Sequence, residues 1–178
     1  MSTNTDMPAD PDPIELDHSP TKLSTIAAVG AAVLAALTSA PFALLALPVG
    51  LAGAGAVGAG LIVAESRTWV AVGVGALFLS VLISGGFGTP VELLLVSMVA
   101  TVLAWDFGHN AISLGEHVGR HSTTRRNEII HGAATTIAAS LAAAVGYGVY
   151  AIAGGGQPVA ALSLLLFGIV FLIWAIRT

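Results

Sequence analysis

Two pairs of an acidic residue and a histidine, each pair three positions apart, are the residues of this chain best suited to chemistry. They are Asp106 with His109 and Glu128 with His131. Residues three or four apart share a helix face, so each pair can present a carboxylate and an imidazole together. Facing helices that carry Glu-x-x-His hold di-iron and di-manganese centres in some bundles, and the same groups suit zinc. Metal binding is therefore one function to weigh, with His109, Glu128 and His131 as weak candidate ligands.

A structural ion network is the simpler interpretation of the same region, and the sequence favours it. The full carboxylate set that bridges two metal ions does not appear, so we expect no bound metal and no other cofactor. Acids and arginines four positions apart, such as Glu116 and Arg120, can pair on one helix face. The residues of this network, which could equally dock a partner protein, are Asp106, Glu116, Arg120, Arg125, Arg126 and Glu128.

The stretch from Trp105 to His131 is interpreted as the polar end of a helical hairpin. It holds three of the ten acidic residues, three of the six basic residues and four of the five histidines. Its polar residues recur at steps of three or four from Asp106, which predicts an amphipathic helix continuing from the apolar segment before it. A basic turn follows, and Glu128 suits the first turn of the next helix, where the dipole favours a negative charge.

The composition of the whole chain predicts an integral membrane protein. Of its 178 residues 56% are hydrophobic and only 9% are charged, with a mean hydropathy of +0.90. An ordinary soluble domain is about 25% charged. Residues 1–21 differ from the rest, because they are acidic and proline-rich, and we expect them to form a disordered cytoplasmic tail. The chain contains no cysteine.

Six apolar segments predict an all-α fold, a polytopic membrane bundle with six transmembrane helices in residues 22–178. A span needs roughly 20 apolar residues. The predicted spans are about 23–39, 42–64, 68–84, 90–105, 128–153 and 158–176, with the polar hairpin of residues 105–131 on the cytoplasmic side. The break between the first two spans is the weakest, and Pro48 either kinks the second span or marks its start.

The basic residues predict the orientation of the chain. In a six-span arrangement all six fall on the same side: Lys22, Arg67, Arg120, Arg125, Arg126 and Arg177. The positive-inside rule then places both termini in the cytoplasm, in the cell membrane. The three tryptophans, Trp69, Trp105 and Trp174, fall at the same ends of the spans and are interpreted as interface anchors.

Small residues in the second segment predict a close approach between helices. Five glycines recur between Gly50 and Gly60. Such residues let helix backbones approach in lipid, either inside the bundle or at the face of a homo-oligomer.

Transport and catalysis are less well supported. An ion-coupled carrier needs ionisable groups near the midplane, whereas Glu65 and Glu92 fall near the ends of spans. A small transporter or channel for a neutral solute remains an alternative. We expect no enzymatic activity, because no catalytic triad or phosphate-binding loop is visible, and nucleic-acid binding has no support.

The sequences W-D-F-G-H-N-A-I-S-L-G-E-H-V-G-R, at 105–120, and T-R-R-N-E-I-I-H, at 124–131, carry a resemblance to a known family. The chain resembles uncharacterised multi-spanning membrane proteins of haloarchaea with a W-D-x-G-x-x-x-x-x-L-G-E-x-x-G-R segment followed by T-R-R-x-E-x-x-H. Such proteins are often encoded beside AAA+ ATPases of the MoxR type. The resemblance implies a non-enzymatic membrane subunit, surrounded by lipid, that docks a soluble cytoplasmic ATPase or an envelope-assembly partner. It implies no catalytic residue.

Overall fold

The computed structural model describes residues 19–118 and 125–153. These residues form five α-helices and contain no strand, which confirms the all-α prediction. The helices are α1 (Lys22–Ser39), α2 (Ala46–Ile62), α3 (Arg67–Gly86), α4 (Val91–Val118) and α5 (Arg125–Ala153).

Four of these helices are long and apolar enough to cross a membrane. They are α1, α3, most of α4 and nearly all of α5, whereas α2 has 17 residues and is shorter. The predicted count of six spans is therefore not supported by the described part of the chain. The segment predicted at 158–176 lies outside the described residues, as do residues 1–18 of the predicted tail.

The first and fourth helices pack antiparallel through faces of small residues. Ser97 Oγ donates a hydrogen bond of 2.8 Å to the Ala35 carbonyl, and the Thr21 amide donates one of 3.2 Å to the Ala111 carbonyl. Such contacts need closely spaced backbones, which small side chains permit. The buried small residues at this contact are Ala28, Ala32 and Ala35 on α1, and Ala100, Ala104 and Ala111 on α4.

The glycines of α2 place this helix directly against α3. A Cβ atom added to Gly53 would lie 2.7 Å from the carbonyl oxygen of Gly73, and one added to Gly60 would lie 2.9 Å from the Val70 amide nitrogen. These glycines therefore serve packing within the chain. Gly55 and Gly58 differ, because a Cβ atom at either position would meet nothing within 4 Å.

The fourth helix extends the bundle beyond the span predicted at 90–105. It continues past Trp105 to Val118, and Ala111 and Ile112 are buried inside the bundle. The part of α4 that follows Trp105 therefore packs against the other helices. Small residues permit this packing, because a Cβ atom added to Gly108 would lie 2.8 Å from the Val70 side chain of α3, and the Ala111 carbonyl accepts from the Thr21 amide beside α1. The second helix also starts later than predicted, at Ala46, and Pro48 lies in its first turn, where a missing N–H is tolerated.

The fifth helix is joined to the others mainly near its ends. Glu128 is its only buried residue among those whose burial is described. Near its start Glu128 and His131 contact α1 and α4, and near its end the Tyr147 hydroxyl donates a 2.8 Å hydrogen bond to Glu92 Oε1. Two cavities, of about 420 and 270 Å³, lie between α5 and the pair formed by α1 and α4. The apolar residues of α5 are consequently left exposed along most of its length.

Candidate functional site

Glu128 lies at the centre of a polar cluster between α1 and α5. Its Oε2 accepts hydrogen bonds from the Thr21 hydroxyl at 3.0 Å, the Ser24 amide at 3.1 Å and the Ser24 hydroxyl at 2.7 Å. The residue is only 8% exposed. The Ser24 amide belongs to the first turn of α1, whose N–H groups have no partner within the helix. Glu128 therefore caps the start of α1 from another helix.

The position of the Glu128 side chain at the start of α1 suits the helix dipole. The start of a helix carries a partial positive charge, and bonds to an ionised acceptor are stronger than neutral ones. Thr21 occupies the N-cap position of α1 but makes no side-chain bond to its own helix, because its hydroxyl donates to Glu128. Glu128 thus provides a hydrogen-bond acceptor for the Thr21 hydroxyl and for the amide and hydroxyl of Ser24.

Thr21 and Ser24 were not predicted to belong to the site. Both are more than 100 positions from Glu128 along the chain, and no local spacing pattern relates them. The one available signal is that Thr21 lies just before the first apolar segment, which is typical of an N-cap residue. That pattern predicts where a helix starts and cannot show which distant carboxylate reaches it.

Asp106 and His131 form a second polar contact, between α4 and α5. Asp106 Oδ2 lies 3.0 Å from His131 Nε2, and the two side chains are 30% and 47% exposed. The sequence paired each acid with the histidine on its own helix, whereas here the acid of one pair meets the histidine of the other. His109 instead stacks on Trp105, with ring centroids 4.2 Å apart, and its Nδ1 lies 3.1 Å from the Trp105 carbonyl oxygen.

The candidate metal ligands do not converge. Among the described residues, no group of three histidine, aspartate or glutamate side chains could hold a metal ion. Asp106 and His131 are only a pair, the Glu128 carboxylate is bonded to α1, and His109 lies on Trp105. The acid-x-x-His spacing therefore does not assemble a metal centre in this part of the chain.

Two further hydrogen bonds join the helices at the same end of the bundle. Asn110 Nδ2 donates to Ser24 Oγ at 3.3 Å, and Arg67 Nη2 donates to Ser113 Oγ at 3.1 Å. The starts of α1, α3 and α5 and the last turns of α2 and α4 thus meet at one end, which we call the polar end.

The other predicted site residues are found as follows. Arg126 is exposed in the first turn of α5. Glu116 and Arg125 belong to the last turn of α4 and the first turn of α5, and Arg120 lies outside the described residues. Trp69 and Trp105, the predicted interface anchors, are 53% and 42% exposed, and Trp174 lies outside the described residues.

These observations define a class of protein, a helical bundle with membrane-spanning capacity whose helices are joined by hydrogen bonds at a polar end. The chain belongs to a family of unknown function, DUF7519, whose family model matches residues 18–173. No curated protein and no solved structure matches it.

Proposed function

We propose that the protein is a non-enzymatic integral membrane subunit whose polar end docks a soluble cytoplasmic partner. The observation that carries this proposal is the gathering of charge at that end. Lys22, Arg67 and Arg126 are exposed where α1, α3 and α5 start, and the partly exposed Asp106–His131 pair joins α4 to α5. A surface with both signs of charge suits recognition of another protein, because complementary charges orient the encounter and exclude wrong partners.

The buried polar groups support a structural role for the rest of the bundle. The Ser39 and Ser80 hydroxyls lie 2.8 Å apart, and Ser80 also donates to the Ala46 carbonyl. Ser97 bonds a carbonyl of α1 in the same way. These hydroxyls join helices and are already hydrogen-bonded, which favours a scaffold over a catalytic centre or a polar pathway.

The proposed topology has six spans, with both termini in the cytoplasm. Residues 154–157 are short enough that a span at 158–176 would return beside α5, since short connections join antiparallel neighbours. The exposed apolar residues of α5 favour such a neighbour. Lys22, Arg67 and Arg126 already lie at one end, as an arrangement with all basic residues on the cytoplasmic side requires.

The proposed partner is a MoxR-type AAA+ ATPase or an envelope-assembly factor that accompanies it. The resemblance to haloarchaeal membrane proteins through the W-D-x-G and T-R-R-x-E-x-x-H segments supports this choice. The docking residues would be Glu116 in the last turn of α4, Arg125 and Arg126 in the first turn of α5, Arg120 of the segment between these helices, and Asp106.

The experiment is affinity purification of the full chain from native membranes in mild detergent, followed by mass spectrometry. We expect a soluble ATPase at near-stoichiometric yield. Alanine at Glu116, Arg120 and Arg126 together should abolish its recovery and leave the melting temperature unchanged. Asn127→Ala, an exposed polar change at the same end, is the matched control. Recovery of a homo-oligomer alone would overturn the docking proposal and favour transport of a neutral solute.

A further inference from the structure

A third cavity, of about 240 Å³, lies at the polar end between the start of α1 and the turn that joins α2 to α3. It carries opposite charges, Lys22 on α1 and Glu65 on the turn, and neither side chain has an ion-pair partner in the described part of the chain. Its apolar wall includes Ile26 and Ile62, which are 72% and 68% exposed. The cavity is therefore amphipathic and open at the ends of the spans.

Glu65 adopts a backbone conformation that is unusual for its type. Its φ angle is +46°, in the left-handed region. No other non-glycine residue in the described part of the chain has a positive φ angle. It follows the end of α2, where the Ser66 amide bonds the Gly60 carbonyl at 2.9 Å. Glycine or asparagine normally occupies this position in helix-ending motifs. Strained residues of this kind cluster at ligand sites, because the surrounding structure retains them for their side chains.

We propose that this cavity binds the zwitterionic headgroup of a membrane lipid, a phosphate ester that carries an ammonium group. Lys22 binds the phosphate, and Glu65 binds the ammonium. A simple anion would be repelled by Glu65 and a simple cation by Lys22, so a group with both charges is favoured. Ile26 and Ile62 contact the apolar part of the lipid next to the headgroup. The position at the ends of the spans is the depth at which headgroups lie.

The test uses the full chain in detergent, titrated with phosphatidylethanolamine or phosphatidylglycerol of identical acyl chains and followed by native mass spectrometry. The wild type should bind the zwitterionic lipid about tenfold more tightly than the anionic one. Glu65→Gln should abolish that preference, by weakening the zwitterionic lipid about tenfold without weakening the anionic one. Lys22→Gln should weaken both lipids, and Asn127→Ala should change neither.

Two results would overturn the proposal. The first is equal affinity for the two lipids in the wild type, or an equal effect of Glu65→Gln on both. The second is a melting temperature that falls in Lys22→Gln and in Glu65→Gln but falls no further in the double variant. That result would mean that the two side chains stabilise each other and leave no charge for a lipid. Circular dichroism of each variant establishes that the helices are retained, so lost binding can be separated from lost folding.

Discussion

At the scale of single residues, Glu128 does for α1 what a serine or aspartate at the N-cap does for most helices. It does so from 104 positions away along the chain and in a buried setting. A residue that caps its own helix usually contributes about 1 kcal/mol. The contribution of Glu128 should be larger, because three donors share one charged acceptor and water has little access to them.

Glu128→Ala should lower the free energy of unfolding by about 2–4 kcal/mol, since it leaves three donors near the start of α1 without their carboxylate. The measurement is denaturant-induced unfolding of the full chain in detergent. Asp106→Asn is the control, because it weakens an exposed pair and should cost less than about 1 kcal/mol. If the two variants cost the same, the buried cap is not the stronger contact.

Glu65→Gly should raise the free energy of unfolding by about 1 kcal/mol, because glycine adopts a positive φ angle without steric cost. The matched control is Gly88→Ala, at the other positive φ angle of the described chain, +80°. That change should lower stability by a similar amount. A loss of stability in Glu65→Gly would contradict the view that its backbone is strained. The thermal unfolding of both variants in one detergent gives the comparison.

The sequence predicted the polar residues of the site better than it predicted their partners. Helical spacing predicted Asp106 and His131 on consecutive helices, and they lie on α4 and α5 with Oδ2 and Nε2 3.0 Å apart. It could not show that Asp106 would meet His131 and not His109, because the relative shift of two helices depends on packing along their whole length. The contacts of Glu128 with Thr21 and Ser24 could not be predicted from the sequence for the same reason.

At the scale of helices, small residues decide where the chain packs most closely. The α2–α3 contact depends on Gly53 and Gly73, each lying against the backbone of the other helix. Small residues also keep the later turns of α4 in contact with the other helices. The segment predicted at 90–105 ends where polar residues begin, whereas Gly108 lies against Val70 of α3 and Ala111 is buried within the bundle.

Gly53→Ala should destabilise the protein by about 1–3 kcal/mol, because the added methyl group would overlap the carbonyl of Gly73 and force the helices apart. Gly55→Ala is its control on the same helix, with open space at the added atom. This control should be neutral or stabilising by up to about 1 kcal/mol, since alanine favours a helix over glycine. Thermal unfolding of both variants measures the difference. Equal effects would mean that helix propensity, and not the α2–α3 contact, determines the outcome.

At the scale of the whole molecule, composition predicted the all-helical class directly, since so apolar a chain needs helices that satisfy their own backbone. The apolar segments predicted at 23–39, 68–84 and 128–153 correspond to α1, α3 and α5. Composition could not establish the number of spans, because an apolar helix of 17 residues such as α2 is at the lower limit of a span.

The proposed sixth span makes a prediction about the groove between α1 and α5. The chain has no cysteine, so introduced cysteines report on single contacts. Leu34 lines the cavity of about 270 Å³ between α5 and the pair formed by α1 and α4. A cysteine at position 34 should form a disulfide with a cysteine placed within residues 168–171 of the same chain.

Leu79→Cys, on α3, is the control and should form none, because α3 has no contact with α5 in the described part of the chain. A disulfide between two chains would show that a second copy covers the groove instead. Oxidation in native membranes followed by gel electrophoresis distinguishes the two.

The bonds between Glu128 and the start of α1 also impose an order on biosynthesis. Ser24 leaves the ribosome long before Glu128, because 104 positions separate them. Until α5 is made, the amide and hydroxyls at the start of α1 must be satisfied by water. Water is abundant only at the membrane surface, so that end of α1 stays there while the later helices insert. The start of α1 therefore gains its buried hydrogen-bond acceptor only after α5 has been made.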